Sequence, residues 1–277
     1  EKIKEGSGQL KVEDATAPVE PWVIELERKS AIVSEAQRKD IGAMIFAAGL
    51  GTRFKPWTDK HPKALAVING KSLLQRNVEY LQQYGIRDLA VNIHHFSEQI
   101  KEAVEVNNSW GSHIGFSDES DNLLETGGGL KKAAGILRWN TIVVINSDIL
   151  TDFDLGKMIV FHRTKKAIAT LAVTDRETSR YFLFNNENFL CGWRNTKTGE
   201  EKISRKAETY IQKAFSGIHV IDRKLLGMMK RKGKFSMVDV YLDLAGTEKI
   251  YAYDHSGSRF IDVGKPEAVA VAEAMFP

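Results

Sequence analysis

Apolar positions in this chain switch between two periods, and the switches mark out its elements. Residues 41–47 form a short unbroken apolar run ending in glycines, the pattern of a buried strand. Leu73, Leu74, Val78, Leu81 and Tyr84 then recur at helical spacing, with Ser72 placed to cap the helix and Gly85 to stop it. Residues 89–93 read as a strand, 97–106 as a helix, 128–137 as a helix and the β-branched run 141–145 as a second central strand. A helix over 154–163 and a strand over 167–173 repeat the alternation. Residues 175–214 are polar and irregular, the look of a hairpin insertion carrying Cys191. Order resumes with a strand over 214–221, helices over 222–230 and 237–245, and strands over 250–253 and 260–262. Pro266 suits the first turn of a last helix reaching Met275. Strand–helix–strand repetition predicts parallel pairing through right-handed crossovers, hence an α/β fold with helices on both faces of the sheet.

Residues 1–40 break this pattern. Gly6-Ser7-Gly8 reads as linker, Pro18 and Pro21 interrupt structure, and 24–38 has the spacing of one amphipathic helix. The segment is expected to be an N-terminal extension or linker, with one domain over 41–277. Among 277 residues, 43% are hydrophobic and 27% charged, which excludes wholesale disorder, collagen-like repeats and coiled coil. The longest apolar run, 43–50, is far below the roughly 18 residues of a membrane span. The opening Glu1-Lys2-Ile3-Lys4-Glu5 has no signal-peptide character, and one cysteine makes neither an internal disulfide nor a thiolate zinc site, so a cytoplasmic protein is expected.

Net charge is +3, and residues 1–40 hold 7 Lys/Arg against 9 Asp/Glu, a balance of −2 that leaves +5 on the remainder. That surplus, without a basic cluster interleaved with aromatics, excludes a nucleic-acid groove and suits a pocket for small polyanions. The five tryptophans share no spacing, and His94-His95 after a strand face opposite sides, so both sets are assigned to packing and loops.

The chemistry concentrates after the first strand, at Phe46-Ala47-Ala48-Gly49-Leu50-Gly51-Thr52-Arg53 and then Pro62-Lys63. Glycines there let backbone N–H groups approach a polyanion. A dinucleotide fingerprint would need glycine where Phe54 stands, and a Walker-type loop would need Gly-Lys-Ser/Thr, which this run lacks. What remains is a glycine loop ending in the cation Arg53, with a second cation at Lys63, able to hold a triphosphate.

Ala47-Ala48-Gly49-Leu50-Gly51-Thr52-Arg53 with Pro62-Lys63-Ala64-Leu65 closely resembles the signature of the sugar-1-phosphate nucleotidyltransferases, the nucleoside-diphosphate-sugar pyrophosphorylases. The resemblance continues through Leu124-Glu125-Thr126-Gly127-Gly128-Gly129, Asn146-Ser147-Asp148, Phe215-Ser216-Gly217-Ile218 and Phe260-Ile261-Asp262-Val263-Gly264-Lys265-Pro266, covering about residues 41–277. It implies a Rossmann-like, mostly parallel mixed sheet of the nucleotide-diphospho-sugar transferase fold. It also implies a Mg²⁺-dependent reaction of an NTP with a sugar 1-phosphate, giving NDP-sugar and pyrophosphate. Arg53 and Lys63 take the catalytic cation roles, while Ala48, Gly49, Gly51, Thr52, Glu125, Thr126 and Gly127 contact the nucleotide. Glycines and Thr126 are expected to face the base with backbone groups and hydroxyl. Asn146, Ser216 and Gly217 contact the sugar, and Asp148 with Asp262, each at a strand end, hold the metal.

The chain departs from the family at Ser147, Lys265 and Ala64, where glycine, threonine and proline are common. No Glu-Lys-Pro motif is present over 195–214, which leaves Lys202, Lys206 and Lys213 as unranked candidates for the sugar phosphate. Within the family, Leu-Glu-Thr-Gly-Gly-Gly looks most like the short N-acetylmuramate-1-phosphate uridylyltransferases of cell-wall recycling. Mannose- or heptose-1-phosphate guanylyltransferases are the alternative, and a non-catalytic nucleotide-sugar-binding subunit is the competing class.

Overall fold

Six residues without a polar side chain, Ile41–Phe46, form β1, and all six are buried. The computed structural model describes residues 40–277; the extension and its expected helix lie outside the described residues. After β1 come the short pair β2 (Val67–Ile68) and β3 (Lys71–Ser72), then α1 (Leu73–Gln83), β4 (Asp88–Ile93), α2 (Ser97–Val106), β5 (His113–Asp118) and α3 (Glu125–Lys132). The middle of the chain gives β6 (Thr141–Asn146), β7 (Ile149–Thr151), α4 (Leu155–Lys165), β8 (Ala169–Thr174), β9 (Arg180–Phe184), β10 (Leu190–Asn195), β11 (Glu201–Ile203) and β12 (Ile211–Asp222). It closes with α5 (Lys224–Met228), α6 (Met237–Leu244), β13 (Ile250–Asp254), β14 (Phe260–Asp262) and α7 (Ala268–Met275).

Capping chemistry sets several helix starts. Ser72 Oγ accepts the Gln75 amide to open α1, and Asp154 Oδ1 accepts the Lys157 amide to open α4. Ser236 and Asp239 form a reciprocal capping box at α6. The last helix starts at Ala268 rather than at Pro266, which sits in the turn before it and accepts the Val269 amide through its carbonyl.

The central sheet is parallel on one side and antiparallel where the chain returns. β4 and β6 flank β1 in parallel, with Ile45 opposite both Val91 and Ile145, and β5 adds in parallel outside β4. β12 runs antiparallel between β6 and β8, and β13 pairs in parallel with β8. Alternate residues of β1 serve two cores. Ala43 and Ile45 face Leu74, Val78, Leu81 and Ile100, whereas Met44 and Phe46 face Leu130, Val240 and Tyr241. Helices therefore cover both faces.

Two expectations need correction. Residues 175–214 are not an irregular insertion: β9, β10 and β11 form an antiparallel meander that pairs with the first residues of β12, and Cys191 is fully buried within it. The sequence pattern also passed over β5, because His113-Ile114-Gly115-Phe116-Ser117-Asp118 lies at the sheet margin with one of its six residues buried.

Candidate active site

The carboxyl ends of β1, β4 and β6 open onto a cleft of about 330 Å³, where open α/β sheets place their ligands. Ala48, Gly49, Gly51, Thr52 and Arg53 line it from the loop after β1, with Lys63 beside them. Gly51 is left-handed (φ 59°), and its carbonyl accepts the Thr58 hydroxyl at 2.9 Å and the Phe54 amide at 2.7 Å. A Cβ there would lie 2.8 Å from Thr58 Cγ2 and 3.1 Å from the Cβ of Lys63, so glycine lets the loop fold tightly against Lys63.

Lys63 does not point free into the cleft; its ammonium pairs with Asp148 Oδ2, and both side chains are sheltered. Asp148 follows β6 in a turn held by a buried amide: Asn77 Nδ2 of α1 donates to the Ser147 carbonyl at 3.0 Å and to Leu73 O at 2.9 Å. The turn leads directly into β7, where Ile149 pairs antiparallel with Asp262 of β14, and the Val263 amide donates to Asp148 O at 2.9 Å. Strand pairing thus brings together two aspartates far apart in sequence. Burial and the Asp148 carboxylate push the Asp262 carboxyl above its ordinary value, against the pull of Lys63, Arg53 and Arg176. Gly264 lines the cleft; a Cβ on it would lie 2.8 Å from Asp262 Oδ1 and 3.2 Å from Arg53 Nη2. The Asp262 carboxylate and the Arg53 guanidinium therefore both border Gly264 at the edge of the cleft.

No group of three or more His, Cys, Asp or Glu able to hold a metal occurs among the described residues. Two mutually repelling carboxylates at the edge of a phosphate-sized cleft instead fit a hard divalent cation such as Mg²⁺, which keeps water and phosphate oxygens as its other ligands. His94 is in neither arrangement: its Nδ1 lies 2.7 Å from the Glu119 carbonyl.

On the opposite wall, Glu125 and Thr126 line the cleft, but the glycines after them do not face it as expected. The Gly127 and Gly128 amides donate to Phe235 O at 2.9 and 3.1 Å, and Thr126 Oγ1 accepts the Met237 amide at 2.9 Å. This segment seats the start of α6, so those groups are already engaged. Asn146 lines the cleft, whereas Ser216 and Gly217 are not among its lining residues. Ser216 is buried, with its Oγ 2.7 Å from His255 Nε2. Gly217 (φ 72°) admits Asn146: a Cβ would come within 2.6 Å of the Asn146 amide nitrogen.

Two cleft residues had no motif to announce them. Asn92 accepts the Ala47 amide at 2.8 Å through Oδ1 and donates from Nδ2 to Glu119 Oε1 at 2.8 Å. The other Glu119 oxygen accepts the Leu124 amide at 3.0 Å. Glu119 is fully buried, and a polar residue following the polar end of β5 was the available signal.

A family model described as Nucleotidyl transferase matches residues 42–275. N-acetylmuramate alpha-1-phosphate uridylyltransferase of Caulobacter vibrioides is 27% identical over 241 residues, covering 84% of this chain and 95% of that protein. Mannose-1-phosphate guanyltransferase of Yarrowia lipolytica is 27% identical over 232 residues, covering 81% of this chain and 61% of that protein. The chain thus spans about three fifths of the length of such longer relatives. Among solved structures, HddC from Yersinia pseudotuberculosis complexed with GMP-PN superposes with a TM-score of 0.68 at 24% identity, over 85% of this chain and 99% of that one, a likeness of fold.

Proposed function

Because the chain belongs to the nucleotidyl transferase family, we propose that it transfers a nucleotidyl group from an NTP to a sugar 1-phosphate, releasing pyrophosphate. The observation that carries the reading is the meeting of a glycine loop, two cations and two aspartates at one cleft. In this reading a phosphate oxygen of the sugar 1-phosphate attacks the α-phosphorus in line, and the α–β bridging bond breaks to release pyrophosphate. No general base is needed, since the attacking phosphate is already ionised. The protein's work is positioning and charge neutralisation.

Arg53, at the cleft edge, neutralises the departing pyrophosphate. Lys63 exchanges its contact with Asp148 for the phosphates at the reacting centre. Asp148 and Asp262 would hold Mg²⁺, which supplies charge stabilisation and phosphate orientation when bound. Asn92 fixes the amide of Ala47 at the start of the phosphate loop, so the loop is shaped before the ligand arrives.

UTP and N-acetylmuramate 1-phosphate are the substrates of the finer reading, favoured by coverage of nearly the whole Caulobacter relative. Similarity to the Yarrowia guanyltransferase favours GTP with mannose 1-phosphate as the second reading. Pyrophosphate release by the full chain is measured with UTP, GTP, CTP and ATP against a panel of sugar 1-phosphates. One NTP–sugar pair is expected to exceed the rest; binding of nucleotide sugars without release from any pair would make this a binding protein instead.

A further inference from the structure

The pairing of β12 with β6 runs up to Ile218 opposite Ile145, so the next residues on the two strands are Gly217 and Asn146. Against β8 the register breaks at the same point. There β12 advances four residues, from Phe215 to His219, while β8 advances two, from Val173 to Leu171. Gly217 is left-handed within this break (φ 72°), and the Asn146 side chain packs directly over it. A Cβ on Gly217 would lie 2.6 Å from Asn146 Nδ2 and 3.2 Å from its Cγ. Asn146 lines the cleft. The shape of the break therefore decides where that amide points.

Two side chains hold the break. Before it, Arg176 Nη2 donates to the Phe215 carbonyl at 2.7 Å. Within it, Ser216 is 1% exposed and its Oγ lies 2.7 Å from His255 Nε2. The surrounding hydrogen bonds assign the tautomer of this histidine. Ser258 Oγ donates to the His255 carbonyl at 2.7 Å and lies 2.8 Å from Nδ1. A hydroxyl has a single proton to give, so Nδ1–H donates to Ser258 and Nε2 is left bare. Nε2 then accepts the Ser216 hydroxyl, a buried donor that needs a partner. The imidazole is fixed in its turn. Its ring lies 4.7 Å from that of Phe153, beyond β7, and 5.7 Å from that of Phe260, which opens β14. Its backbone amide donates to Val173 O at 3.0 Å, and the preceding Asp254 is held by Lys213 at 2.6 Å.

We propose that His255 is a positioning residue: through Ser216 it holds the break at Gly217 in the shape that receives Asn146, and so sets how the Asn146 amide meets the sugar 1-phosphate. The inference rests on the nucleotidyl-transfer reading above, in which Asn146 contacts the sugar. His255 itself touches no substrate.

The test uses the full chain with UTP and GTP, and with N-acetylmuramate, glucose and mannose 1-phosphates. His255→Phe keeps a ring between Phe153 and Phe260 but removes the acceptor. It is expected to raise KM for the sugar 1-phosphate about fivefold, the scale of one hydrogen bond, with KM for the NTP within about twofold. Ser216→Ala breaks the same bond from the other side, should match it, and remains readable if His255→Phe does not fold. His255→Gln restores an acceptor near the Nε2 position and should recover most of the loss. Asn146→Ala should raise the same KM, and adding His255→Phe to it should cost nothing more, since the positioned amide is already gone. In an active enzyme, additive effects of the two changes, no change in the sugar-phosphate KM, or equal losses for both substrates would overturn the positioning role and leave the reaction standing. A wild type inactive with every pair overturns the reaction instead. Calorimetric titration with UDP- and GDP-sugars then decides the positioning role: non-additive losses of affinity in Asn146→Ala and His255→Phe keep it, and independent losses or no binding remove it.

Discussion

The Lys63–Asp148 pair couples folding to chemistry. Its side chains are only 11% and 21% exposed, so each charge depends on the other. Removing one partner of a fully buried pair costs about 3–5 kcal/mol, and less where some solvent reaches it. Lys63→Met is therefore expected to lower both the melting temperature and kcat, the latter by ~10²-fold or more, as for loss of one electrostatic stabiliser. Adding Asp148→Asn removes the stranded charge and should recover the melting temperature while activity stays lost. Thermal melts beside pyrophosphate release check this; a double variant that regains the rate would show the pair to be structural only. The four charged residues Arg53, Lys63, Asp148 and Asp262 were legible in the sequence because each sits in a motif after a strand or glycine turn. Their pairing was not, since nothing in the local pattern states that Lys63 and Asp148 will touch.

Among the elements, β4 and β5 do more than extend the sheet. Asn92 near the end of β4 and Glu119 just after β5 join the Ala47 amide to the Leu124 amide, linking the phosphate loop to the start of α3. Glu119→Gln keeps the shape but puts an amide NH₂ against either the Asn92 NH₂ or the Leu124 N–H. One donor is left unpaired in the interior, a cost of about 1–3 kcal/mol. The expected outcome is a lower urea midpoint and a higher KM for the NTP, with KM for the sugar 1-phosphate little changed; equal KM values for both variant and wild type would confine Glu119 to stability. Elements with a clean period, such as β1, α1, α2 and β6, were readable from sequence because burial on known faces writes the period into the chain. β5 and the β9–β11 meander were not, because edge and half-exposed strands admit polar residues on one side. Buried polar links such as Asn92–Glu119 carry no local period, and their partners come from other elements.

For the molecule as a whole, acid is the weak direction. His162, His219 and His255 are buried, each beside a hydroxyl: Thr170, Tyr241, and Ser216 with Ser258 respectively. Burial lowers their pKa values from 6.5 to about 4, about 3 and about 4. Below pH 6.5 the unfolded chain takes up protons that the native state refuses, so stability falls as pH drops toward the native values and is fully present above 6.5. Each histidine contributes up to about 1.4 kcal/mol per pH unit within that window. Urea midpoints should fall from pH 6.5 to 4, and His162→Gln, which keeps a partner for Thr170, should flatten the slope; a midpoint independent of pH across the window would contradict the burial of these rings as neutral groups.

The pairing of β7 with β14 also has a consequence for synthesis. The phosphate loop, Lys63 and Asp148 emerge from the ribosome well before Phe260–Asp262. A nascent or truncated chain that stops short of β14 has the loop and the first carboxylate but lacks the second. Completion of the cleft thus waits for the synthesis of residues 260–262, and products interrupted before them lack one of the two acidic groups on which the proposed chemistry depends.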